Sequence, residues 1–281
     1  LVKAMKLKRF FSSLVVLGAL AAAGIVFAHA GRRAPSKSLV SSEFPFSRKL
    51  PPVMLWAWER AEDLRGLDTR NTGVAFLART VFLTGDSVAV RPRLQPLRIP
   101  AGTAVVAVVR LETRGARTAA ANAAPAAPAI LSTGQREAVA RAIAAAAKLP
   151  NIAELQVDFD ASLSERKFYR ELLSDVRDQL PPGMALSITA LASWCLGDSW
   201  LKGVPVDDAI PMLFRMGVGE REVTSHLEAG GDFREPVCRQ SLGISTDEPL
   251  AHLPGGRRLY IFNPRAWTTA EARLVVAEAS R

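Results

Sequence analysis

Short apolar runs alternate along this chain with longer amphipathic ones. Eight of the short runs read as strands: 53–57 (VMLWA), 73–83 (GVAFLARTVFL), 103–111 (TAVVAVVRL), a run within 151–161 (NIAELQVDFDA), 185–191 (ALSITAL), 209–216 (AIPMLFRM), 241–245 (SLGIS) and 258–262 (RLYIF). The second fits either a strand or a hairpin, with Gly85-Asp86 as its turn. The third is Val-rich and apolar on both faces, as in sheets covered on both sides, mostly parallel ones. Pro211 falls near the start of its run, where the missing N–H matters least.

The longer runs carry helix signals. Ser132 with Gln135 forms a capping box for a helix to about Lys148, and Ser162 with Glu165 forms a second. Phe168, Leu172, Val176 and Leu180 recur every four residues after it, until Pro181-Pro182-Gly183 stops the helix. A short helix over 220–228 ends at Gly230-Gly231, and Thr268 with Glu271 opens the terminal helix. The stretch 113–131 is rich in Ala, Pro and Gly without patterning and reads as a flexible loop. Eight strands, mostly alternating with helices over about 230 residues, predict a single-domain (β/α)₈ TIM barrel over 50–281. A doubly wound open sheet is the competing α/β arrangement. Against it, no Gly-rich loop follows the first strand and no G-x-x-x-x-G-K-[ST] occurs.

The first thirty residues stand apart. Lys3, Lys6, Lys8 and Arg9 precede an apolar, uncharged run over 10–27, and Ala28-His29-Ala30 follows as a small-residue cleavage signature. This reads as a secretory signal peptide cut after Ala30, which places the mature protein outside the cell or in the periplasm. An uncleaved run would instead anchor the chain in the inner membrane. The polar, basic, Ser-rich stretch 31–49 reads as a linker. Of the 36 Lys and Arg, four lie in the leader, leaving 32 against 27 Asp and Glu. That scattered excess, with no basic stripe among aromatics, gives nucleic-acid binding no support. Outside the leader no apolar run is long enough to cross a bilayer, so no membrane partner is expected for the mature domain.

Cys195 and Cys238 are the two cysteines, and an oxidising compartment permits a disulfide between them or leaves two thiols. With three scattered histidines they form no zinc pattern, and the leading reading below calls for no metal or cofactor.

In a parallel barrel the site forms where strands end. There the chain places Trp56, Trp58 and Glu59 after the first strand, Asp158 and Asp160 after the fourth, and Trp194 and Asp198 after the fifth. Arg215 ends the sixth, Asp247 and Glu248 the seventh, and Asn263 the eighth, with Trp267 nearby. Asp158 and Asp160 share a face, with Gln156 one step earlier and Phe159 on the other side. Crowded carboxylates at one strand end suit acid/base chemistry, since one is driven to hold its proton. Aromatic faces, carboxylates and amides around a cleft suit sugar rings, so the expected ligand is a carbohydrate.

The segments LQVDFDAS, SITALASWCLGD, PMLFRMG, GISTDEP and FNPRAW together resemble the bacterial domain of unknown function 3142 family, from about Pro51 to the C-terminus. The resemblance implies a barrel of the glycoside-hydrolase type, without an activity to carry over. More distantly, QVDFD is similar to the D-x-D-x-E strand-end motif of chitinase-like barrels. That similarity sets Gln156, Asp158 and Asp160 on the three acidic positions, with Asp160 at the general acid. Here the first acid is an amide and the last is Asp rather than Glu. The tyrosine that substrate-assisted cleavage needs would have to be Tyr169 or Tyr260.

The residues therefore predict an exported glycoside hydrolase in which Asp160 is the acid, Asp158 raises its proton affinity, and Glu59 or Glu248 is the second carboxylate. Trp58, Trp194, Arg215, Asp247, Glu248, Asn263 and Trp267 are the expected substrate contacts. A non-catalytic glycan-binding barrel is the alternative, favoured by Gln156 and the short Asp160. An oxygen-ligand Mg²⁺ or Ca²⁺ hydrolase using Asp158, Asp160 and Asp247 is a third. A serine hydrolase lacks its G-x-S-x-G, and His226 lies on a helix.

Overall fold

Eight parallel strands close on themselves. β1 (Val53–Ala57), β2 (Thr72–Thr84), β3 (Val105–Glu112), β4 (Ile152–Asp158), β5 (Ala185–Leu191), β6 (Asp208–Met212), β7 (Ser241–Ser245) and β8 (Arg258–Phe262) each pair with the next, and β8 returns to β1. The computed structural model describes residues 50–113, 127–250 and 252–280. The expected leader (1–30), the linker (31–49) and residues 114–126 of the Ala/Pro-rich stretch lie outside them.

The connections are uneven. Helices α1 (Thr133–Ala144), α2 (Arg166–Gln179), α3 (Ala192–Leu196) and α4 (Glu220–Glu228) follow β3, β4, β5 and β6, and α5 (Thr269–Ala279) follows β8. No helix stands after β1, β2 or β7 among the described residues. β2 instead runs beyond the barrel and turns at Gly85 into a hairpin with Ser87–Pro92. The three capping boxes form as their spacing predicts, at Ser132, Ser162 and Thr268.

Period-two alternation divides the core. On β1, Met54 and Trp56 face the lumen, where they pack with Ala75, Val106, Val108, Ile210 and Tyr260. Val53, Leu55 and Ala57 face out, beneath Trp267 and Ala272. On β4, Leu155 and Val157 face Val139, Ile143, Leu172 and Val176 in the outer core. Gln156 is sealed in the barrel, with its Oε1 accepting from Trp56 Nε1 at 2.8 Å. Gly243 on β7 makes room for that indole, since a Cβ there would stand 2.8 Å from Trp56 Cη2.

The floor of the barrel is polar. Ser187 donates to buried Glu154, and Ser241 Oγ donates to Asp208 Oδ2 at 2.5 Å. Burial pushes both carboxyls upward, Asp208 to about 7, against the opposing hydrogen bonds and the charge of Arg258. Cys195 on α3 and Cys238, just before β7, form a disulfide with Cα atoms 5.9 Å apart.

Candidate functional site

A cleft of about 520 Å³ opens at the C-terminal ends of the strands. Asp158 and Asp160 both line it. Alternation is the cause: Phe159 between them turns outward and packs edge-on against Tyr169 of α2, 5.1 Å between centroids.

The two carboxylates differ in surroundings. Asp158 is buried, with Oδ2 accepting from Arg110 Nη1 and Oδ1 from Thr189 Oγ1, each at 2.7 Å. Asp160, two residues past the strand end, is exposed in the cleft. Arg110 also holds Glu112 at 2.6 Å. Desolvation works against its charge, but Asp158, Glu112 and Asp160 together keep it protonated beyond its ordinary range. Arg110 is thus the counter-charge of Asp158, while Arg215, in the same cleft, stands by Asp247 and Glu248 instead.

Arg110 was not among the sequence candidates. It ends a strand that reads as apolar on both faces, but it falls in step with Val106 and Val108, which face the lumen. A charged residue in the inward phase of an apolar strand is the signal that would have found it.

The opposite wall is apolar. Trp56, Trp58, Phe214, Phe262 and Met212 line it. Phe214 and Phe262 stack 5.6 Å apart at 3°, and Trp58 meets Phe262 edge-on at 6.2 Å. The run expected as strand 209–216 stops at Met212, which frees Phe214 and Arg215 to turn over the cleft. Arg215 takes a left-handed backbone (φ 51°), and its N–H donates to Glu248 Oε2 at 2.7 Å. Its guanidinium lies over the Phe262 ring, 5.3 Å from the centroid, and 3.8–3.9 Å from Glu248 and Asp247. A hydrogen bond from Ser245, with the charges of Arg215 and Arg265, holds Asp247 below the usual carboxylate range.

Several expected contacts lie elsewhere. Trp194 is buried beside Trp200, 4.9 Å away, with Arg166 over both rings, because α3 turns its indole into the outer core. Trp267 is buried against β1, donating its Nε1 to Trp56 O at 2.9 Å. Asn263 is buried, and its Oδ1 accepts from Thr246 and from the Arg265 N–H. Glu59 is ion-paired with Arg91 at 2.6 Å and is not part of the cleft lining. Asp247 and Glu248 stand 3.9 and 3.8 Å from the Arg215 guanidinium and do not line the cleft. Tyr169 and Tyr260 are both sealed in the core, so neither reaches the cleft.

Among the described residues, no group of three or more His, Cys, Asp or Glu is placed to hold a metal ion. The expected oxygen-ligand set of Asp158, Asp160 and Asp247 is not assembled there. No described helix is long and apolar enough to cross a membrane.

No protein-family model and no curated protein matches the chain. Two solved structures are similar to it. One, from Streptomyces coelicolor, is described as a candidate chitinase A: 11% identity, TM-score 0.48, covering 82% of this chain and 97% of that one. The other is the spore cortex-lytic enzyme SleL of Bacillus cereus: 15% identity, TM-score 0.40, covering 69% of this chain and 51% of that one.

Proposed function

We propose that the cleft binds a glycan and cleaves a glycosidic bond, with Asp160 as the general acid. One observation carries this reading: an exposed carboxylate stands in a cleft whose other wall is the aromatic set Trp58, Phe214 and Phe262. Sugar rings offer apolar C–H faces to such a wall and hydroxyls to charged groups across from it. Asp160 in its acid form gives its proton to the glycosidic oxygen, and the C–O bond breaks to release the leaving sugar as an alcohol. Water adds to the anomeric carbon and returns a proton to Asp160. Asp158 holds Arg110 in the cleft through one carboxylate oxygen, and Thr189 fixes the other oxygen of Asp158.

A second reading is a glycan-binding barrel without turnover. The pairing of Glu59 with Arg91 and the absence of Asp247 and Glu248 from the cleft lining favour it, because no acid beyond Asp158 and Asp160 lines the cleft among the described residues. Export by the N-terminal leader belongs to either reading.

A panel of bacterial and plant polysaccharides tests both. Turnover that falls roughly 10²–10⁴-fold in Asp160→Asn, with binding retained, supports the hydrolase. Binding without turnover, unchanged by that substitution, selects the second reading.

A further inference from the structure

We infer that the ligand of the cleft is a carboxylated glycan, its acid group read by Arg60 and Arg215 at the end of β8. This rests on the glycan reading and narrows it to acidic polymers.

Three arginines line the cleft, and they differ in their partners. Arg110 is engaged by Asp158 and Glu112. Arg60, on the segment after β1, donates to Asn263 O at 3.5 Å, the limit of a hydrogen bond. Among the described residues no carboxylate stands within ion-pair distance of it. Arg215 has two acids near it, but at 3.8 and 3.9 Å, with all three side chains about half exposed. Such pairs contribute little and yield readily to a better-placed anion.

Arg60 and Arg215 meet β8 at adjacent residues, Arg60 at Asn263 and Arg215 over the ring of Phe262. The left-handed backbone of Arg215, tied down through Glu248, is what carries its guanidinium there. Holding a non-glycine residue in that conformation is costly and clusters at ligand clamps. A ring lying on the Trp58–Phe262 wall brings an exocyclic carboxylate toward these two guanidiniums. Their planar forks match a carboxylate two bonds at a time. A neutral sugar offers Arg60 no anion within ion-pair distance, leaving it only the more distant charge of buried Glu62.

Calorimetric titration of the protein tests this with oligomers of polygalacturonate, alginate and hyaluronan, each beside its carboxyl-reduced counterpart, together with neutral cello-oligomers and dextran sulfate. At least one acidic oligomer should bind about tenfold or more tightly than its reduced form, with affinity falling as salt rises. Arg60→Gln should erase that preference in a protein whose thermal midpoint shows it still folded, and Arg215→Gln should reduce it. Equal binding of acidic and reduced forms, or a preference that survives Arg60→Gln, overturns the inference while leaving the glycan reading standing. So does binding of dextran sulfate alone, which would make the anion a sulfate ester. If no oligosaccharide of any kind binds, the glycan reading falls, and this inference with it.

Discussion

Arg110 at the end of β3 and Asp158 at the end of β4 are register partners, joined by a 2.7 Å hydrogen-bonded ion pair at the base of the cleft. Asp158 is nearly fully buried and Arg110 about one-third exposed. Asp158→Asn keeps the shape and the acceptor for Thr189 but removes the counter-charge. Solvent and Glu112 soften that loss, so about 2–3 kcal/mol of stability should disappear in urea denaturation. A cycle with Arg110→Gln should show strong coupling; additive effects would mean that the pair is not a unit.

Trp58 is half-buried at the cleft wall, so its role in binding separates from any role in the core. Trp58→Ala should weaken binding of a bound glycan about tenfold while changing the thermal midpoint little. Trp194→Ala should do the reverse, costing about 3–5 kcal/mol of stability because that ring is buried. Ligand titration and denaturation on both variants decide between the two roles.

The floor of the barrel makes stability depend on pH. Asp208 sits near 3.8 when unfolded and about 7 when folded, so the folded chain holds its proton more tightly. Its contribution is fully present below pH about 4, is lost as pH rises toward 7, and changes no further above that. The carboxylates held low at Asp63, Asp68, Asp247 and Glu271 act in the opposite sense, losing stability on acidification. The informative quantity is therefore the difference between wild type and Asp208→Asn. Measured from pH 4 to 8, the wild type should lose stability relative to the variant as pH rises, and a flat difference would contradict this.

The disulfide spans 43 residues of sequence and ties the segment after β5 to the approach to β7. Reducing it should lower stability by about 3–4 kcal/mol, chiefly by freeing the unfolded chain. Denaturation of wild type and of the Cys195→Ala/Cys238→Ala double variant, with and without reductant, checks this. The double variant should be insensitive to reductant.

If the leader is processed as its small-residue signature predicts, exported protein begins at Gly31. N-terminal sequencing of the exported form that finds the run 10–27 still attached would select the anchored alternative.

The barrel was legible because period and capping are local. The runs 185–191, 241–245 and 258–262 fold as strands with the expected bounds, and the three capping boxes open their helices. The shared cleft of Asp158 and Asp160 was legible for the same reason, since alternation on one strand needs no knowledge of its neighbours. Which charges meet across strands is not local. Arg110 pairs with Asp158 because closure places β3 beside β4 in that register, while Arg215 turns away to Glu248 where β6 ends early. The tryptophans divide on the same ground. Trp58, Trp194 and Trp267 all follow strands in sequence, yet only packing decides whether an indole meets solvent or a helix. The sequence by itself determined the strands, the helix starts and the phase of each side chain. The tertiary structure alone decided the partners, because ion pairs and burial depend on distances between elements far apart in the chain.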